Sequence, residues 1–235
     1  MTPHARDRLI VALDVPGADQ ARALIDALQD SVGVYKIGLE LLFAGGMALA
    51  SELASRGMRV FIDAKLLDIE ATVERATASI ARTGAEFLTV HAVDRKTLDA
   101  AVRGRGDSSL KLLGVTVLTN LGPADLAQQG TDIPPDELVL HRAKLAREAG
   151  FNGVVASGLE AAAIRNAAGT GFFIVTPGIR PEGGAAQDQA RVATPASAIA
   201  AGADYLVVGR PITAAPDARA AAQAIVAEIE SALSG

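Results

Sequence analysis

Residues 60 to 69 read Val-Phe-Ile-Asp-Ala-Lys-Leu-Leu-Asp-Ile, and the segment that follows, Glu70 to Arg82, has the apolar period of a helix. Successive side chains on a strand alternate faces, so Asp63 and Lys65 project together while Val60, Ile62 and Ala64 cover the other side. Three ionisable groups, Asp63, Lys65 and Asp68, thus stand in an apolar run, where an isolated charge costs several kcal/mol or more. They require partners, and the segment reads as an active-site strand leading into a helix.

The same strand-helix unit recurs eight times without a linker-like tract that would divide domains. The strand candidates are Leu9 to Leu13, Val34 to Ile37, Val60 to Ala64, Phe87 to Val90, Leu112 to Leu118, Gly153 to Ala156, Phe172 to Thr176 and Tyr205 to Val208. Helices are expected over Ala18 to Leu28, Glu70 to Arg82, Asp136 to Ala149 and, closing the chain, Ala214 to Leu233. Strands at this spacing pair in parallel. A doubly wound sheet gives the same alternation, but the turn after its first strand is Gly-rich, whereas Leu13-Asp14-Val15-Pro16-Gly17 carries a carboxylate. The expected fold is a (β/α)8 barrel, one domain over residues 1–235.

Composition narrows the function. The 235 residues are 50% hydrophobic and 21% charged, enough for one large core. A net charge of -5 gives no basic footprint for nucleic acid. With no cysteine there is no disulfide, thiolate metal site or cysteine nucleophile. The first apolar run, Leu9 to Leu13, is too short for a signal or membrane segment and is closed by Asp14, so a cytoplasmic protein without a membrane partner is expected.

In such barrels the working site lies at the C-terminal ends of the strands. Asp14, Lys36, Asp63 with Lys65, His91, Thr116 with Thr119, Ser157 and Arg210 fall at those ends. His91 reads as a hydrogen-bonded neighbour of the site rather than a base or metal ligand, and Glu40 as a helix-start carboxylate. The loops after strands seven and eight, Thr176-Pro177-Gly178-Ile179-Arg180 and Val208-Gly209-Arg210-Pro211, each pair a glycine with an arginine. Such loops suit a phosphate dianion.

Read with Asp63-Ala64-Lys65-Leu66-Leu67-Asp68-Ile69, these loops resemble the orotidine 5′-phosphate decarboxylase family, whose signature is Asp-x-Lys-x-x-Asp followed by an apolar residue. The resemblance runs from Ala12-Leu13-Asp14 through Tyr35-Lys36-Ile37-Gly38, Val90-His91-Ala92 and Val115-Thr116-Val117-Leu118-Thr119 to Val207-Val208-Gly209-Arg210-Pro211. Magnesium-dependent sugar-phosphate relatives share the short signature but typically carry glutamate where this chain has Lys36, which favours the metal-free branch. The resemblance implies a catalytic array of Lys36, Asp63, Lys65 and Asp68, with Asp68 donated across a homodimer interface. It further assigns Asp14 and Lys36 to the ribose, Thr119 to the pyrimidine loop, Thr72 to a contact from the partner, and Arg180, Gln189, Gly209 and Arg210 to the phosphate. Ile69 and Pro177 complete the implied substrate-binding set, and no metal or cofactor is implied.

The chain departs from the family pattern at Glu70-Ala71, where Pro-Asn is usual before the threonine. Glu70 in a first helical turn suits the helix dipole. Pro181 to Ala190, with Gln187 and Gln189, suits a segment that closes over phosphate, and Asn120 to Pro135 suits a loop covering the base. Two other functions stay open at this point: a sugar-phosphate aldolase or decarboxylase, magnesium-dependent or using Lys65 as a Schiff-base amine, and a non-catalytic phosphosugar-binding barrel.

Overall fold

Eight short runs rich in Val, Ile, Leu and Phe form parallel strands that pair in chain order and close on themselves. They are β1 Leu9–Ala12, β2 Val34–Ile37, β3 Val60–Leu66, β4 Phe87–His91, β5 Lys111–Val115, β6 Gly153–Val155, β7 Phe173–Thr176 and β8 Tyr205–Val208, with β8 paired to β1. The structure is a computed structural model and describes residues 4–181 and 193–234. Around the barrel run α1 Ala18–Leu28, α2 Leu39–Leu41, α3 Met47–Ser55, α4 Glu70–Ala81, α5 Arg95–Arg105, α6 Pro123–Gln128, α7 Pro135–Glu148, α8 Ala161–Ala168, α9 Pro195–Ala200, α10 Arg210–Thr213 and α11 Ala218–Ser234. The expected (β/α)8 barrel is the observed fold.

Several strand ends differ from expectation by one or two residues, and three segments differ by more, each for a local reason. β5 ends at Val115, because Thr116 leaves the ladder and donates both its backbone N–H and its hydroxyl to Val155 O. The Asn120 to Pro135 stretch is no plain loop: Pro123 opens α6, and Asp125 Oδ2 accepts from Gly122 N at 2.8 Å. The closing helix begins at Ala218, since Pro216 breaks the run and Asp217 Oδ1 accepts from Ala220 N at 2.9 Å.

Strand alternation divides the core in two. Outward-facing residues pack against the helices, while Ile10, Ala12, Val34, Phe61, Phe87, Leu113, Val175, Tyr205 and Val207 fill the barrel interior. Phe87 is central there, with ring centroids 5.9 Å from Phe61 and 5.3 Å from Tyr205 in edge-on geometry. Below these rings, at the N-terminal strand ends, Glu86 binds Arg59 Nη2 at 3.0 Å and Lys111 Nζ at 2.7 Å. Lys111 also lies over the Phe87 and Phe173 rings, 5.3 and 5.6 Å from their centroids. Ionic and aromatic groups therefore fill the N-terminal end of the interior among the described residues, and a cavity opens at the C-terminal strand ends.

Phe87→Ala is expected to cost about 3–5 kcal/mol of unfolding free energy by urea titration, since a fully buried ring leaves a cavity that this interlocked interior cannot collapse.

Candidate active site

Above the aromatic layer the interior row of each strand turns polar. Phe61 of β3 is followed on the same face by Asp63, Val34 of β2 by Lys36, and Phe87 of β4 by Thr89. Lys36 and Asp63 border a cavity of about 450 Å³ at the C-terminal mouth, with Ala12, Phe61, Val115, Val155 and Val207 as its apolar floor, while Thr89 lies behind them.

Asp63 is the hub. Its Oδ2 lies 2.9 Å from Lys65 Nζ and 3.3 Å from Lys36 Nζ, and Lys36 in turn meets Asp14 Oδ1 at 3.2 Å. The four side chains thus alternate in sign, Asp14, Lys36, Asp63, Lys65. Asp63 and Lys36 are buried, whereas Asp14 is open to the cavity mouth. Burial pushes the Asp63 carboxyl up, but Lys36, then Lys65, with hydrogen bonds from Lys65 and Thr89, outweigh it and hold the group below the usual carboxylate range. Gly38 gives the outer pair its room, because a Cβ there would stand 2.8 Å from Asp14 Oδ1 and 3.1 Å from Lys36 Nζ.

β3 is irregular where the charges sit. Its ladder with β4 shifts register between Ile62 and Leu66, and Lys65 takes a left-handed φ of 48°. A non-glycine residue in that region costs on the order of 1–3 kcal/mol and persists only where its surroundings enforce it. At this irregularity the Lys65 ammonium lies 2.9 Å from Asp63 Oδ2.

The wall formed after β7 and β8 is cationic. Arg180, after β7, is buried and donates through Nη1 to Ile179 O at 2.9 Å, while its Nε has no protein partner among the described residues. Burial, and then the neighbouring Arg210, push its pKa down. Two guanidiniums that repel each other on one wall of a cavity form a place for a dianion, whose charge relieves that repulsion. Gly178, at φ 74°, supplies the left-handed turn that brings the Pro177-Gly178 backbone onto the same wall.

Of the residues singled out from sequence, Asp14, Lys36, Asp63, Lys65, Thr119, Pro177, Arg180, Gly209 and Arg210 all border this one cavity. Asp68, Ile69 and Thr72 do not. Asp68 is exposed and its Oδ1 accepts from Ile69 N at 2.6 Å, with no ion pair among the described residues of its own chain. Gln187 and Gln189 lie outside the described residues.

Thr116, Ser157 and His91 do not border the cavity. The Thr116 hydroxyl is spent on Val155 O, and Ser157 Oγ accepts from Leu159 N at 3.2 Å. His91, expected to be hydrogen-bonded, is half-buried with no ring hydrogen bond among the described residues; burial, then Lys65 and Arg142, lower its pKa. Glu40 stands exposed in the first turn of α2, as a helix-start carboxylate does. Sequence reasoning missed Asn120, which borders the cavity, and Thr89, which touches both Asp63 and Lys65. A polar residue in the interior row of an otherwise apolar strand was the signal for Thr89.

Comparison with known proteins gives one answer. The family described as "Orotidine 5'-phosphate decarboxylase / HUMPS family" matches residues 7–225. A protein named orotidine 5′-phosphate decarboxylase from Rhodopseudomonas palustris strain BisA53 is 56% identical over 226 residues, 96% of each chain. One of the same name from Methylobacterium nodulans is 55% identical over 234 residues, 98% of this chain and 99% of its own. The crystal structure of orotidine 5′-phosphate decarboxylase from Lactobacillus acidophilus superposes with a TM-score of 0.83 at 36% identity, covering 94% of this chain and 98% of that one.

Because the folded-state pKa of Asp63 lies below its unfolded value, its stabilising contribution is complete above the unfolded value, about 3.9, and is lost as pH falls through the folded value. Urea unfolding at stepped pH is therefore expected to show Asp63→Asn less stable than the parent at pH 7, with the gap closing below about pH 4.

Proposed function

The chain belongs to the orotidine 5′-phosphate decarboxylase / HUMPS family, and from that membership we infer that it is a carboxy-lyase acting on orotidine 5′-phosphate, yielding uridine 5′-phosphate and carbon dioxide in pyrimidine nucleotide synthesis. The observation that carries this reading is the alternating lattice of Asp14, Lys36, Asp63 and Lys65 in the same cavity as Arg180 and Arg210. A nucleoside monophosphate has matching parts, a dianion at one end and a reactive base at the other.

Loss of carbon dioxide from carbon 6 of the pyrimidine breaks the bond to the carboxylate carbon and leaves its electron pair in the ring plane, with no adjoining carbonyl to accept it. In our reading the Lys65 ammonium stabilises that pair as it forms and then transfers a proton to carbon 6. Asp63, held beside it, crowds the substrate carboxylate, a repulsion that vanishes as neutral carbon dioxide leaves. Lys36 and Asp14 serve the ribose hydroxyls, Thr119 and Pro177 the base, and Arg180, Gly209 and Arg210 the phosphate, whose remote binding energy offsets the strained carboxylate contact. Gln189 belongs to the same phosphate group in this reading.

The reaction as proposed uses no metal or organic cofactor. What supports this is the donor set: each carboxylate at the cavity is already neutralised by a lysine. Among the described residues no group of three or more His, Cys, Asp or Glu is arranged to hold a metal ion.

We take residues 1–235 as one domain and the active form as a homodimer in which Asp68, Ile69 and Thr72 serve the neighbouring site. The support is twofold. Asp68 has no counter-ion in its own chain among the described residues, and the loops after the adjacent strands β2, β3 and β4 expose apolar side chains, Phe43 at 90%, Ile69 at 73% and Leu67 at 54% among them. Among the described residues no helix is long and apolar enough to cross a membrane. A cytoplasmic location, without membrane or nucleic-acid partners, fits the substrate and the acidic charge.

Absorbance assay with orotidine 5′-phosphate in excess chelator is expected to show full turnover, and loss of activity on chelation would instead favour a magnesium-dependent sugar-phosphate reaction. Lys65→Ala is expected to lower turnover at least about a thousand-fold while still binding uridine 5′-phosphate; near-normal turnover would remove the proton-donor role. Mixing inactive Asp68→Ala subunits with inactive Lys65→Ala subunits is expected to restore activity, and no recovery in a verified mixed dimer would rule out a shared site.

A further inference from the structure

We propose that Thr89 is a positioning residue for the reaction: its hydroxyl spans the irregularity in β3 and holds the Asp63 carboxylate and the Lys65 backbone in register. The inference rests on the roles proposed above for Asp63 and Lys65.

The geometry begins with the ladder. Ile62 pairs with Leu88 and Leu66 with Val90, so three residues of β3, Asp63, Ala64 and Lys65, stand opposite Thr89 alone. In a regular parallel pair the inter-strand N–H groups find main-chain carbonyls. Here the Lys65 N–H donates to Thr89 Oγ1 at 3.0 Å. The hydroxyl has one proton to give, and it goes to Asp63 Oδ1 at 2.8 Å. With Oδ1 held in this way, Oδ2 is the oxygen that takes both ammoniums, at 2.9 Å from Lys65 and 3.3 Å from Lys36.

One hydroxyl therefore fixes both ends of the charge pair. It accepts from the residue with the left-handed φ of 48° and donates to the residue that neutralises it. Thr89 is fully buried and does not border the cavity, so it acts through Asp63 and Lys65 and touches no substrate. Valine has nearly the same shape. What threonine adds is a lone pair and a proton, the two features used. A carboxylate free to rotate would exchange its partners as the substrate carboxylate arrives, and that rearrangement would enter the barrier; a pinned one enters the reaction already oriented.

The test compares the full-length parent with Thr89→Val and Thr89→Ser in steady-state decarboxylation of orotidine 5′-phosphate, with thermal unfolding of each. Thr89→Val is expected to lose kcat about 10- to 100-fold with KM changed less than about threefold, and Thr89→Ser to recover most of that loss. Wild-type kcat in Thr89→Val would overturn the proposal. So would equal losses in the Val and Ser variants, or a KM rise that accounts for the whole effect, since each marks packing rather than the hydroxyl. If Thr89→Val does not fold, Thr89→Cys, of similar size and a weak donor, is read against Thr89→Ser by the same criteria. A parent without activity on this substrate would refute the functional reading itself, before any variant is compared.

Discussion

The site depends on the electrostatic balance of one buried carboxylate. Asp63 is taken from water at a cost of several kcal/mol, and two ammoniums within 3.3 Å repay it. Each lysine gains in turn, since a cation above an apolar floor is as badly placed as an anion. The alternation of sign from Asp14 to Lys65 keeps every charge beside its opposite and the whole close to neutral. Such a lattice has fixed orientation before any ligand arrives, which is what an electrostatic catalyst needs in a low-dielectric cavity.

The remainder of the barrel serves that balance by asymmetry. Aromatic rings fill the middle of the interior, and the Arg59, Glu86 and Lys111 cluster fills its N-terminal end. The charges border a cavity at the mouth. Parallel strands all present their C-terminal ends there, so residues remote in sequence meet around one opening: Asp14 after β1, Lys36 from β2, Arg180 after β7, Arg210 after β8. The irregularity in β3 is the local departure from this symmetry. Regular pairing with β4 is interrupted there, and Lys65, in its left-handed backbone geometry, lies against Asp63.

Much of this was legible in sequence. Eight apolar runs spaced by helical segments gave the barrel, and interrupted apolar runs gave the charged strand ends. What sequence periodicity missed were departures from periodicity: the early end of β5, where Thr116 turns its hydrogen bonds onto Val155, and the short helix from Pro123 inside an apparent loop. Thr116 and Ser157 sit at strand ends as expected, yet their hydroxyls serve backbone, because position along a strand does not say which group a side chain will meet.

By itself, then, the sequence determined the fold class and which residues have chemistry to offer, since both follow from spacing and from the cost of placing charge in apolar surroundings. Only the tertiary structure decided the pairings: that Asp63 serves two lysines at once, that Gly38 leaves room for Asp14, that Thr89 bridges the irregularity, and that Asp68 stands apart from its own Lys65. The physical reason is range. Alternation and helical period are properties of neighbours along the chain, whereas a hydrogen bond or an ion pair is won within about 3 Å, a distance set by barrel closure and strand register rather than by any single segment.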